Sequence, residues 1–99
     1  MAAQKGISLD TSVVASKEQA SADLGAEAAV LNLKNGIYYG LNPVGARIWT
    51  LIQTPRTVRE VRDTLIDEYD VDSDRCESDL VALLQQLVEH DLVDIVHDV

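Results

Sequence analysis

The sequence predicts an α+β fold in which an N-terminal three-stranded antiparallel sheet is followed by a three-helix bundle. Three observations predict it. The stretch from Asn32 to Ile52, NLKNGIYYGLNPVGARIWTLI, passes from strand to turn to strand and then into a helix. Thr57 and Glu60 form a T-x-x-E capping box in front of apolar residues at helical spacing. A longer run from Ser73 to about His90 repeats leucine and valine with the same period. Strands followed by three helices, the last two joined by a short connector, also match the order of a winged helix-turn-helix. The 99 residues make one domain, 1–99, with residues 1–11 as a flexible lead-in without a strong pattern.

Taken in order, Ser12 to Ser16 reads as the first strand, and residues 17–26, KEQASADLGA, as a polar loop punctuated by Gly25. Glu27–Leu33 and Ile37–Leu41 are the second and third strands, which with the first form a meander. Asn35-Gly36 suits a two-residue hairpin because both central positions need positive φ. That turn would pair Leu33 with Tyr38 and Asn32 with Tyr39. The face with Ala29, Leu31, Leu33 and Tyr38 is then the better core candidate, and the face with Val30, Asn32, Lys34, Ile37 and Tyr39 is partly wet. A bulge at Gly40 would alter this, so the residues leave open which of the two tyrosines faces inward.

Asn42 is a natural N-cap and Pro43 a natural first residue for the first helix, which puts Val44, Ile48, Leu51 and Ile52 on one face with Trp49 at its flank. Pro55 ends that region. The second helix runs from Thr57 to about Tyr69 with Val58, Val61, Leu65, Ile66 and Tyr69 inward. Ser73 or Asp74 caps the third, and Leu92–Val96 returns as a short strand. On the third helix Leu80, Val81, Leu83, Leu84, Leu87 and Val88 span roughly 160° of circumference, where a helix packed on one side needs about 100°. The excess either covers neighbouring elements or forms an apolar groove wall of the kind used in peptide capture beside a sheet edge.

Charge excludes one class of partner. Residues 1–50 are neutral, with Lys5, Lys17, Lys34 and Arg47 balancing Asp10, Glu18, Asp23 and Glu27, so the whole net charge of −9 sits in the helical half. The third helix carries Arg75 alone against Asp74, Glu77, Asp79, Glu89 and Asp91. A recognition helix of that sign repels a phosphate backbone, so a DNA-reading winged helix is disfavoured and nucleic acid is not expected as a partner. No apolar run reaches membrane-spanning length, and the N-terminus has no secretory pattern, so a cytoplasmic location is expected.

No catalytic constellation emerges. His90 and His97 lie near the C-terminus among acids, where a helix-terminal histidine ordinarily serves the dipole. Cys76, the one cysteine, lies in the first turn of the third helix without a dependable His or Asn partner. Asp67, Glu68, Asp70, Asp72 and Asp74 lack the glycine and terminal glutamate of a calcium loop. Tyr38 and Tyr39 could stack bases, but no basic surface accompanies them. The expectation is a protein that is not an enzyme and takes no metal or cofactor.

The run LNLKNGIYYGLNPVGARIWTLI, then TVREVRDTLIDEYDVD and SDLVALLQQLVEHDLV, resembles the PqqD-like proteins, the precursor-peptide recognition elements of ribosomal peptide natural-product pathways. The matching features are G-x-Y-x-x-L-N from Gly36, N-x-x-G-x-x-I-W from Asn42 and D-L-x-x-L-L-x-x-L-x-x-x-x-L-V from Asp79, and they extend over about residues 12–96. As a small separate chain it looks most like the leader-binding subunit of a lasso-peptide pathway. The resemblance implies a noncatalytic adaptor that binds the leader of a precursor peptide by strand addition between the third strand and the third helix. The implied contacts are Gly36, Ile37, Tyr38, Tyr39, Gly40 and Leu41 on the strand, and Leu80, Leu83, Leu84 and Leu87 on the helix. The implied partners are that leader and a separate transglutaminase-like cysteine-protease subunit, with a cyclase as a further candidate, and the adaptor itself would be a monomer or weak dimer. The alternatives are a PqqD-type peptide chaperone for a radical-SAM enzyme, told apart by its partner, and a winged-helix DNA-binding regulator, told apart by steep salt dependence.

Overall fold

The computed structural model describes residues 6–96; His97 and the start of the lead-in lie outside the described residues. The strands are β1 (Ser12–Ala15), β2 (Gln19–Leu24), β3 (Glu27–Asn32), β4 (Tyr38–Leu41), β5 (Arg56–Thr57) and β6 (Val93–Val96). The helices are α1 (Pro43–Leu51), α2 (Val58–Glu68) and α3 (Ser73–Glu89). This is a mixed α+β fold with two antiparallel three-stranded sheets, ordered β5-β1-β6 and β2-β3-β4. None of the described helices is long and apolar enough to cross a membrane.

The predicted meander is corrected in two respects. Its first strand, β1, joins a different sheet, pairing with the returning tail from Ser12↔Val96 to Ala15↔Val93. Its place beside β3 is taken by β2, in the segment read as loop, from Gln19↔Asn32 to Leu24↔Glu27. Small residues hid this strand from a reading based on β-branched and aromatic enrichment. Gly25, at φ +88°, supplies the tight connection to β3 through the first central position of a two-residue turn.

The β3–β4 register is slipped by two residues from the predicted one, since Leu31 pairs with Tyr38 and Val30 with Tyr39. The cause is a longer loop. Asn35 does not adopt positive φ, and only Gly36 does, at +72°. The Gly36 N–H donates to the Asn32 carbonyl at 2.8 Å, and the Asn32 side chain accepts from the Lys34 N–H at 2.8 Å. A slip of two keeps each residue on its face, but the buried face is the one predicted to be wet. Val30, Asn32 and Leu41 are buried, whereas Leu33 and Tyr38 are exposed. Asn32 made that face look polar, yet inside it donates to the His90 carbonyl and accepts from the Lys34 N–H.

The helix starts follow their local signals. The Asn42 side chain accepts from the Gly45 N–H at 2.8 Å with Pro43 in the first turn. Val44, predicted to face inward, is exposed, and Trp49, predicted at the flank, is buried. The Thr57–Glu60 box is closed in both directions, at 3.1 and 2.9 Å. Two further N-terminal donors of α2 are met by the lead-in, with the Val58 N–H on the Thr11 carbonyl and the Arg59 N–H on the Leu9 carbonyl. Replacing Thr57 by Ala removes one half of the box and is expected to cost about 1 kcal/mol, read as a lower denaturation midpoint at unchanged m-value. The α3 cap is Asp72, one residue before the predicted pair, and its carboxylate accepts from the Arg75 N–H at 3.1 Å. At the other end Asp91 takes φ 60°, and the Asp91 and Leu92 N–H groups return to the Val88 and Leu87 carbonyls, a Schellman closure.

Val13, Val30, Ile48, Ile52, Val58, Val61, Leu80, Leu84, Leu87 and Val93 meet in one core joining both sheets and all three helices. That core fixes β4 beside α3 with α1 and α2 at one end of the gap.

Candidate functional site

Between β4, the start of α1, the end of α2 and the first half of α3 lies a cleft of about 520 Å³. Leu41, Ile48, Leu65 and Leu80 form its buried apolar floor. Val44 and Val71 stand exposed in its walls, and Tyr69, Arg75, Cys76 and Asp79 reach its rim. Volume and lining suit an apolar anchor side chain or two rather than a charged metabolite.

The backbone of β4 adds a second kind of recognition. The Asn32 N–H donates to the Ile37 carbonyl at 3.0 Å. Antiparallel pairs alternate, so Tyr39 and Leu41 point their main-chain groups toward β3, while Tyr38 and Gly40 turn theirs outward. No other described strand pairs with that side of β4. The result is an open strand edge running beside an apolar cleft.

The side chains divide accordingly. Pairing through Gly40 is continuous, without a bulge, which resolves the tyrosine question. The Tyr39 hydroxyl donates to Gln86 Oε1 on α3, and its ring lies 5.5 Å from that of His90, tilted by 41°. These contacts bridge β4 to the C-terminal half of α3 and bound the cleft on that side. Tyr38 stands on the opposite face, 71% exposed.

Of the residues singled out from the sequence, the structure brings Tyr39, Gly40, Leu41, Leu80 and Leu83 to the cleft. Leu84 and Leu87 are fully buried in the core, and Gly36 and Ile37 lie on the exposed hairpin loop. Sequence reasoning missed the contributions of α1 and α2 and of the connector. The available signal was Val71, an isolated apolar residue between Asp70 and Asp72 in an otherwise acidic linker.

An ion pair ties together two of the helices that wall the cleft. Arg47 binds Glu68 in a two-pronged contact, Nε to Oε1 at 2.9 Å and Nη2 to Oε2 at 2.6 Å, tying α1 to the end of α2. Those hydrogen bonds hold the Glu68 carboxyl below the usual carboxylate range. The tie is therefore complete above the ordinary glutamate pKa and is released as the pH falls through the lowered one. Burial, and then Asp79, push the Cys76 thiol upward, away from the thiolate a nucleophile needs. Among the described residues no group of three or more His, Cys, Asp or Glu side chains is placed to hold a metal ion.

The pattern of coenzyme PQQ synthesis protein D (PqqD) matches residues 27–93. Among solved structures, TbiB1 in complex with the TbiA(beta) leader peptide is 34% identical, with 86% of this chain and 99% of TbiB1 covered at a TM-score of 0.78. A lasso peptide synthetase B1 complexed with the leader peptide shares the fold at 24% identity, with 83% and 96% covered and a TM-score of 0.73. No curated protein matches at a significant level. With the family pattern running from β3 to the start of β6, and TbiB1 matched over almost its whole length, this chain belongs to the PqqD family.

Proposed function

We propose that the chain is a noncatalytic adaptor that binds the leader of a ribosomally made precursor peptide and delivers the precursor to a separate cysteine protease, as in lasso-peptide biosynthesis. The observation that carries this reading is the open Tyr38–Gly40 edge beside the apolar cleft. A leader strand would take main-chain hydrogen bonds from β4 and place alternate side chains against Val44, Val71 and Leu83. The leader peptides bound by TbiB1 and by the lasso peptide synthetase B1 support the same occupant. In this reading the hairpin and helices form a winged helix-turn-helix turned to peptide capture, and the acidic α3 does not read DNA. The raised Cys76 pKa fits an adaptor that holds its cargo near an enzyme instead of reacting with it.

Titration with a synthetic leader peptide, followed by amide NMR, tests the proposal. Saturable shifts are expected at residues 38–41 on β4 and on α3 around Leu80 and Leu83. Because Cys76 lines the cleft, bound leader should also slow its alkylation by at least about fivefold, in proportion to occupancy. Absence of binding at high micromolar peptide, with the protein folded, would end the adaptor reading for that precursor. A leader that binds but is passed to a radical-SAM enzyme would make the chain a peptide chaperone of the PqqD type.

A further inference from the structure

Main-chain pairing along β4 is blind to sequence, because every non-proline residue of an added strand offers the same donor and acceptor. A strand that slips by two residues along the Tyr38–Gly40 edge also keeps the same side chains facing inward. The apolar floor of the cleft accepts any apolar side chain of suitable size. Neither feature fixes the register of a bound peptide. A polar reader next to the apolar cleft does.

The wall of α3 carries such a group. Helical spacing sets Asp79, Leu83, Gln86 and His90 along one line of that helix, and Asp79 and Leu83 lie at the cleft. Gln86 continues the line as an exposed carboxamide. Tyr39, which lines the cleft from β4, donates its hydroxyl to Gln86 Oε1. The Tyr39 ring is held in turn against the His90 ring, with centroids 5.5 Å apart. Asn32 holds the His90 carbonyl from inside β3 at 2.6 Å. With its oxygen engaged by Tyr39, the Gln86 amide keeps its N–H groups as donors, which no protein group accepts among the described residues. The phenolic oxygen beside them keeps its capacity to accept. A donor and an acceptor therefore stand side by side, held by two different elements.

An added strand sets one residue level with Tyr39 and another, two positions away, level with Leu41, both on the inner face. Leu41 belongs to the apolar floor, so the residue beside it is the apolar anchor. The residue beside Tyr39 meets the paired donor and acceptor. A carboxamide matches both, its oxygen accepting from Gln86 Nε2 and its N–H donating to the Tyr39 hydroxyl oxygen. A carboxylate lacks the donor and faces a helix end that carries Glu89 and Asp91. An ammonium lacks the acceptor, and an apolar side chain strips water from both groups without replacing it.

We infer that Gln86, oriented by Tyr39, is a specificity-determining residue that reads an asparagine or glutamine of the leader, two positions from the apolar anchor, and so fixes the register of the added strand. This rests on the adaptor reading above and extends it to the side chain the leader must carry.

The test uses the full chain and the synthetic leader of the precursor encoded beside it, with a set of peptides in which each leader residue in turn is replaced by alanine. Binding is followed by calorimetric titration. One asparagine or glutamine, two positions from an apolar residue that also matters, is expected to lose at least about tenfold in affinity on replacement. Against Gln86→Met the same peptide should differ from the parent leader by less than about twofold, while replacement of the apolar anchor keeps its full effect. Gln86→Glu retains an acceptor for the Tyr39 hydroxyl but removes the donor, so it should lose affinity for the parent leader as Gln86→Met does. Gln86 is exposed, so both variants should melt with wild type, which controls for folding. A leader that binds without a carboxamide in that register would overturn the assignment. So would Gln86→Met weakening every peptide by the same factor, since Gln86 would then only shape the groove. Wild-type affinity in both Gln86 variants removes the subsite alone, whereas failure of wild type to bind leader removes the adaptor reading itself.

Discussion

Replacing Gly40 by Pro is expected to abolish most of the leader affinity while leaving the fold intact. Gly40 turns its N–H to the open side of β4, so a proline there removes no bond to β3. Proline is tolerated on an edge strand for that reason. What it removes is a donor that an incoming strand needs, and its ring occupies the line along which that strand would approach. Loss of that bond and displacement of its neighbours should cost about 2–3 kcal/mol, roughly 30- to 100-fold in Kd. Gly40→Ala is the matched control, because it keeps the N–H and a Cβ there meets nothing within 4 Å. Calorimetric titration of both variants checks the result. Equal affinity for Gly40→Pro and Gly40→Ala would mean that the leader does not add to β4 as a strand.

Much of this architecture was legible because its signals are local. Asn42-Pro43 and Thr57–Glu60 begin their helices with side chains that bond within the same turn, so the neighbouring residues suffice to read them. The misreadings have non-local causes. The strand β2 is held by pairing with β3 and not by its own two alanines and one serine, whose propensities say nothing about a sheet. The buried face of the hairpin was misjudged because Asn32 counts as polar until the carbonyl it serves, 58 residues away, is known. The cleft was half visible. The strand and the Leu80–Leu83 wall were implied by the family resemblance, with the wide stripe of α3 as the one hint in the residues, but Val44, Leu65 and Val71 reach the cleft only because the core brings three helices to one end of β4. Leu84 and Leu87 share the stripe with Leu80 and Leu83, yet the helix turns them into the core. A stripe wider than one contact surface therefore served two, and periodicity alone could not divide it.

Asn32 is the position where one side chain is expected to matter most for stability. It is 2% exposed and joins elements far apart in the chain. Its Nδ2 donates to the His90 carbonyl at the end of α3 at 2.6 Å, and its Oδ1 accepts from the Lys34 N–H at 2.8 Å. Asn32→Ala strands the His90 carbonyl, frees the hairpin loop and leaves a small void, for a combined cost of about 3 kcal/mol. In a domain of this size that lowers Tm by roughly 15 °C, measurable by calorimetry. Asn32→Asp separates the donor from the acceptor, because it preserves shape and the bond to Lys34 but turns a carboxylate oxygen toward the His90 carbonyl. Burial against that oxygen raises the folded-state pKa of the new acid above its unfolded value. The penalty is then full above the folded pKa and disappears below the unfolded one, where the protonated acid can donate to His90. Asn32→Asp should accordingly regain stability relative to wild type as the pH falls toward about 4, whereas Asn32→Ala should hold a constant deficit. Parallel pH profiles for the two variants would show that the amide donor is not what ties the hairpin to α3.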